Sequence, residues 1–207
     1  MKQLFFLFLL FSVFSCKKDE KYAPLDLKNG EVVELLVDHR YRAVNEQLLL
    51  LPQGRNAELS LHGFDERKPG YTYRVKAKFH FEKEPPMDAS DRWFDFISVI
   101  KEEKYQATDS FEIALIQSPG FGGPMIVLQK TGNQYYYLNN QIQLTYTSQN
   151  VQNQLEEIWQ NAVAVQQSYQ SSTPIRSLKW KTVKATVTHD PANFSKAYLV
   201  SGIQFTQ

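Results

Sequence analysis

Cysteine is nearly absent from this chain: one, Cys16, stands among 207 residues. That excludes an internal disulfide, and beyond Cys16 it leaves no thiol for a metal site or a nucleophile. An excess of charge is lacking too, since 23 Lys and Arg against 22 Asp and Glu leave a net +1 with no basic stripe. Nucleic acid is therefore not an expected partner, nor is broad electrostatic adhesion to an anionic surface. The four histidines fall at no zinc-ligand spacing and no serine sits in a nucleophile elbow, so neither a cofactor nor a metal is expected. The one long apolar run, Leu4 to Phe14, falls short of the roughly 20 residues a helix needs to span a bilayer.

What that run does resemble is a secretory signal, residues 1–15, with Met1-Lys2 as its charged start. It closes on Val13-Phe14-Ser15-Cys16, which resembles a bacterial lipobox. The pathway so implied attaches diacylglycerol to the Cys16 sulfur and leaves Cys16 as the acylated N-terminus, with membrane lipid as the first partner. Several acyl chains anchor stably where one would be marginal. Residues 16–24 then read as a solvated tether. Lys18-Asp19-Glu20 within it resembles the export signal of Bacteroidota lipoproteins. The expected location is the outer membrane, lipid-anchored, either facing the periplasm or exposed at the surface.

The rest of the chain is organised around residues 57–100. Tyr71, Tyr73, Val75, Ala77, Phe79 and Phe81 alternate with Thr72, Arg74, Lys76, Lys78 and His80, the period of a strand with one buried face. A first domain, residues 25–108, takes in a long strand from Val33 to Ala43, with His39 on its apolar face as a core or rim histidine. It continues with a short strand Leu48 to Leu51, another over Ala57 to His62, and a dense apolar strand Trp93 to Ile100. Five strands without a helix predict a small antiparallel barrel or curled sheet. The loop Glu84-Pro85-Pro86-Met87-Asp88-Ala89-Ser90 has two readings. It is either a structural turn that delivers Trp93 to the core, with Asp88 accepting backbone bonds, or a binding loop presenting Asp88. Gly63-Phe64, then Pro69-Gly70-Tyr71 with Tyr73 and Val75, then Pro85 to Ser90 and an apolar run resemble the bacterial domain-of-unknown-function family 4377 over about residues 31–104. That resemblance implies a compact β-rich exported module and nothing catalytic.

The second domain, residues 109–207, opens with a strand from Phe111 to Ile116 and a glycine-rich loop, Ser118 to Pro124. No Lys-Ser/Thr pair or helix follows the loop, so it does not read as a phosphate cradle. Met125 to Tyr146 reads as a meander whose central Tyr135, Tyr136 and Tyr137 must place rings on both faces. They are candidate binding residues, set against plain cross-strand packing. Val151, Leu155, Ile158, Trp159, Ala162 and Val165 recur at helical spacing, so residues 150–168 form the one amphipathic helix, with Trp159 as a core anchor. Strands Leu178 to His189 and Lys196 to Thr206 close the chain.

The fold class expected is thus mainly β (α+β), two small antiparallel sheet or barrel domains. The function expected is a membrane-anchored envelope lipoprotein without catalysis, binding an envelope protein or glycan. Two alternatives compete: an envelope hydrolase whose His39 or His189 meets Asp and Ser only in the fold, and a structural or stress-related lipoprotein.

Overall fold

The computed structural model describes residues 21–87, 90–117, 125–170 and 177–207. The fold is mainly β with one curled half-barrel sheet, and among the described residues it has a single helix. Strands β1 (Lys21–Tyr22) and β2 (Leu27–Lys28) make a small ribbon. Six strands follow: β3 (Val32–Val37), β4 (Leu48–Leu51), β5 (Arg55–Asn56), β6 (Leu61–His62), β7 (Tyr71–Phe81) and β8 (Arg92–Lys104). They form one sheet in the order β5-β4-β3-β7-β8-β6. The alternation read along β7 is obeyed: Tyr73, Val75, Ala77 and Phe79 are buried with Leu35, Val37, Leu50 and Phe94, while Arg74, Lys76 and Lys78 face out.

The second half contributes β9 (Phe111–Ala114), a short pair β10 (Ile116–Gln117) and β11 (Met125–Ile126), then β12 (Leu128–Thr131), β13 (Gln134–Tyr137) and β14 (Ile142–Tyr146). Helix α1 (Gln149–Gln170), β15 (Thr182–His189) and β16 (Ala197–Thr206) complete it. The large sheet here runs β12-β13-β14-β16-β15-β9. Its inner face and the buried Val151, Leu155 and Ile158 of α1 share a second core. Ser148 starts the helix, its hydroxyl accepting from the Val151 N–H at 3.3 Å and satisfying a donor the first turn leaves open. No helix among the described residues is long and apolar enough to cross a membrane.

Several expectations are corrected. The sheets are mixed rather than purely antiparallel, since β6 pairs parallel with β8 and β14 parallel with β16. A parallel pair needs a long crossover, and α1 with β15 supplies the one from β14 to β16. The long strand expected to Ala43 stops at Val37. There the Asp38 carboxylate accepts from the backbone N–H of Arg40 at 3.1 Å and of Gln47 at 3.3 Å, giving those donors a local partner in place of a ladder. Of the strand expected over Ala57 to His62 only the last two residues form one, as β6, and β5 precedes the expected span. The final strands begin later than expected, at Thr182 and Ala197.

Strand β8 is longer and less buried than its apolar sequence predicts. Ser98 and Phe96 pair with Lys76 and Ala77, and Lys101 and Val99 pair with Arg74 and Val75, so Ile97 and Ile100 are extra residues in two bulges. Both are exposed. Such bulges twist a sheet edge away from further pairing, and the outer edge of β8 beyond its two residues against β6 is such an edge. Trp93 is half-buried rather than in the core. It stacks on His80 at 5.3 Å and its indole N–H donates to Asp95 at 3.0 Å, while Phe94 takes the core position.

Candidate binding cleft and the histidine seam

Residues 38–47 leave the first sheet after β3 and run to the second. Tyr41 and Ala43 pack against the second core. The hydroxyl of Tyr198 donates to the Tyr41 carbonyl at 2.8 Å, that of Tyr137 to the Arg42 carbonyl at 3.2 Å, and the Val44 N–H donates to the Glu112 carbonyl at 2.8 Å. The loop is thus a strap between the two sheets. Its own end is held by Arg67, whose side chain is only 9% exposed, pairs with Glu46 and donates to the Asp38 carbonyl. Arg67 also lies over the Tyr41 ring at 5.0 Å. Buried ion pairs of this kind constrain geometry more dependably than they stabilise.

Beside the strap is the seam that holds both histidines singled out in the sequence. His39 Nδ1 and His189 Nε2 are 2.9 Å apart, and His39 stacks on Tyr105 at 3.5 Å. Phe111, Phe194 and Tyr198 surround His189 at 5.3 to 5.7 Å. The Asp38 carboxylate, 3.6 Å from His39 Nε2, favours the proton there, so His39 Nδ1 accepts from the N–H at His189 Nε2. His189 Nδ1 is then a bare acceptor, buried with no partner among the described residues. Burial, followed by the nearby His39, holds His189 down at about 4. Burial also lowers His39, against the pull of Asp38. Both rings are neutral at pH 7.

A carboxylate and a histidine do therefore meet, and Asp38, His39 and Thr72 line a small pocket of about 260 Å³. Asp38 is already engaged by Arg40 and two backbone amides, and His39 Nδ1 by His189. Neither ring makes a hydrogen bond to a hydroxyl among the described residues. Asp190, adjacent to His189 in sequence, instead binds Thr145, the Ala192 N–H and Asn193. The His39–His189 contact joins the strap to β15 of the second sheet.

A larger cleft of about 510 Å³ opens on the other side of the strap. Val37, Leu48, Leu59, Leu61 and Phe64 supply its apolar lining, and Arg42, Glu46, Gln47, Ser60, His62, Asp65 and Arg67 its polar groups. Among the described residues, the side chains of Arg42, Gln47, Ser60 and Asp65 make no hydrogen bond or ion pair. Arg42 sits in the left-handed region at φ 61°, a cost that only over-determined surroundings sustain. Its N–H on Glu46 at 2.8 Å and its carbonyl under Tyr137 provide them.

The residues expected to bind are placed elsewhere. Tyr135 and Tyr137 are buried in the second core, so the three tyrosines present no aromatic patch, and only Tyr136 faces out, donating to Gln134 at 2.7 Å. Tyr135 donates to Glu156 at 2.6 Å, where Lys130 and Gln160 converge and hold that carboxyl at about 2. Tyr135→Phe is expected to lower stability by about 0.5–1.5 kcal/mol, the usual worth of one such bond, read as a shift in urea midpoint. Trp159 is half-buried against the second core. Cys16, Asp88 and the glycine-rich loop lie outside the described residues. Arg42, Glu46, Asp65 and Arg67 were missed, because polar residues in turns carry no periodic signal. No family model, curated protein or solved structure matches the chain.

Proposed function

We propose that the chain is the non-catalytic binding module of a bacterial envelope lipoprotein, anchored in the outer membrane by acylated Cys16. The observation that carries the binding part is the polar cleft beneath the strap. It combines an apolar floor with several side chains that the fold itself leaves unpaired, the usual make-up of a ligand site. The histidine seam supports the non-catalytic part, because the two rings are turned on each other and the buried Nδ1 of His189 faces aromatic rings rather than a cleft. The anchor rests on the sole cysteine following the apolar leader, and the β-rich build accords with the resemblance to family 4377.

The anchor has a direct test. Cys16→Ala is expected to abolish fatty-acid labelling and to leave an uncleaved precursor in the membrane fraction. Labelling at the wild-type level would remove the lipoprotein reading while leaving the cleft untouched.

A further inference from the structure

We propose that the cleft beneath the strap takes the carboxylate end of a short peptide with an aliphatic side chain. This rests on the binding-module reading and names its ligand class.

Charge is the first argument. The ionised groups lining the cleft are Arg42 and Arg67 against Glu46 and Asp65, which sum to zero, so a polyanion such as a phosphorylated ligand finds no excess of positive charge there. The charges are nevertheless unequal in availability. The two terminal nitrogens of Arg67 are taken by Glu46 and the Asp38 carbonyl, which leaves only its buried Nε without a partner, whereas among the described residues the Arg42 guanidinium has no acid partner and its backbone is pinned from both sides. Arg42 is thus a positioned cation for one carboxylate, and Asp65 an anion for the ammonium at the other end of a short peptide. Gln47 and Ser60 can serve the amide between them.

The apolar lining decides between peptide and sugar. A saccharide would need an open aromatic face, yet the rings in the cleft are occupied, His62 by Trp93 stacked at 6.0 Å. Arg67 and Arg42 lie over Tyr41, at 5.0 and 5.6 Å, and Phe96 stacks on Phe64 at 4.5 Å. What remains is aliphatic: Val37, Leu48, Leu59 and Leu61. A leucine-like side chain suits that floor, at about 25 cal/mol per Å² of apolar surface removed from water.

The test is calorimetric titration of the full-length protein in detergent with four probes: Leu-Leu, its C-terminal amide, its N-acetyl form, and the disaccharide maltose. Leu-Leu is expected to bind, and the amide about tenfold more weakly, equivalent to ~1.4 kcal/mol for the lost charge contact. Arg42→Gln should weaken Leu-Leu by a similar factor at an unchanged unfolding midpoint. Asp65→Asn should weaken Leu-Leu but leave the N-acetyl form alone, which keeps the idea testable if the Arg42 variant misfolds. Equal affinity for acid and amide, or unaltered binding by Arg42→Gln, would overturn the assignment. Maltose binding without dipeptide binding would overturn the ligand class and keep the binding module; no binding of any probe up to about 10 mM would count against both.

Discussion

Between pH 7 and pH 4 the protein is expected to lose about 3 kcal/mol of unfolding free energy through His189 alone. The ring is 8% exposed and is held down at about 4, first by burial and then by the neighbouring His39. In the unfolded chain it titrates near its ordinary value of 6.5. Through that window the unfolded state binds the proton and the folded state does not, so stability rises with pH. The contribution is fully present above about 6.5 and disappears as pH falls toward the folded value. The drop from 6.5 to about 4, at ~1.36 kcal/mol for each tenfold change in proton affinity and with the folded ring half protonated at pH 4, gives the figure. His39, also lowered by burial, adds in the same direction. Asp38, Arg40, Asp109 and Arg67 are the charged groups acting on His39, and Asp38 acts on His189. Among the carboxyl groups, Asp38, Asp91, Asp190 and Glu156 are depressed, so their losses begin only as pH falls through the ordinary carboxyl range, at the acid end of this window. Urea unfolding at half-unit pH intervals reads the slope, and His189→Gln, which can still face His39 without titrating, should flatten it between 6.5 and 4. A wild-type slope no steeper than that of His189→Gln would show that the pair is not the titrating element.

That pair could not be read from the sequence, although both members were singled out in it. His39 follows Val33, Leu35 and Val37 in perfect alternation, and Tyr41 and Ala43 continue the pattern. A period of two records only that every second residue is buried. Val33, Leu35 and Val37 pack on the first core, whereas Tyr41 and Ala43 pack on the second. The same ambiguity made β8 look like an interior strand, since Ile97 and Ile100 are apolar residues in bulges and nothing in their identity announces an insertion. Where burial is continuous on one face the reading was sound. β7 and the Val151, Leu155 and Ile158 stripe of α1 are examples, and there propensity and packing agree. Pairing order is a nonlocal matter, and the parallel contact of β14 with β16, residues 142–146 against 197–206, has no local signature.

The cleft was hidden for a different reason. Arg42, Gln47 and Asp65 are polar residues in turns, which in a sequence look the same whether they meet water or a ligand. Tyr135-Tyr136-Tyr137 was conspicuous by chemistry, yet the sheet turns Tyr135 and Tyr137 inward and leaves Tyr136 outside. Only the combination of an unpaired cation, a left-handed backbone and a buried arginine bracing the loop marks the cleft.

Gly70→Ala is expected to cost about 2–4 kcal/mol, a large effect for one methyl group. Gly70 links the seam through its backbone: its N–H donates to the His39 carbonyl and its carbonyl accepts from Tyr105, both at 2.9 Å. Its φ is +82°, a left-handed conformation that costs a residue with a side chain about 1–2 kcal/mol. A Cβ here would also lie 2.6 Å from Cζ of Phe194, so the ring must move. That ring is the second half's side of the contact. It meets Tyr71 edge-on at 5.6 Å and His189 at 5.7 Å, and Lys104 sits over its face at 4.2 Å. Displacing a packed ring by this much costs about 1–3 kcal/mol, and it loosens the cover over the buried nitrogen of His189. The two components separate in a double-mutant cycle. In a Phe194→Leu background the steric part should largely vanish and the backbone part remain, giving a coupling of about 1–2 kcal/mol between positions in contact. Urea midpoints at pH 7.5, where His39 and His189 are neutral, supply the four free energies. A cost below about 1 kcal/mol that is the same in both backgrounds would mean that the close approach of Gly70 to Phe194 does not hold the two sheets together.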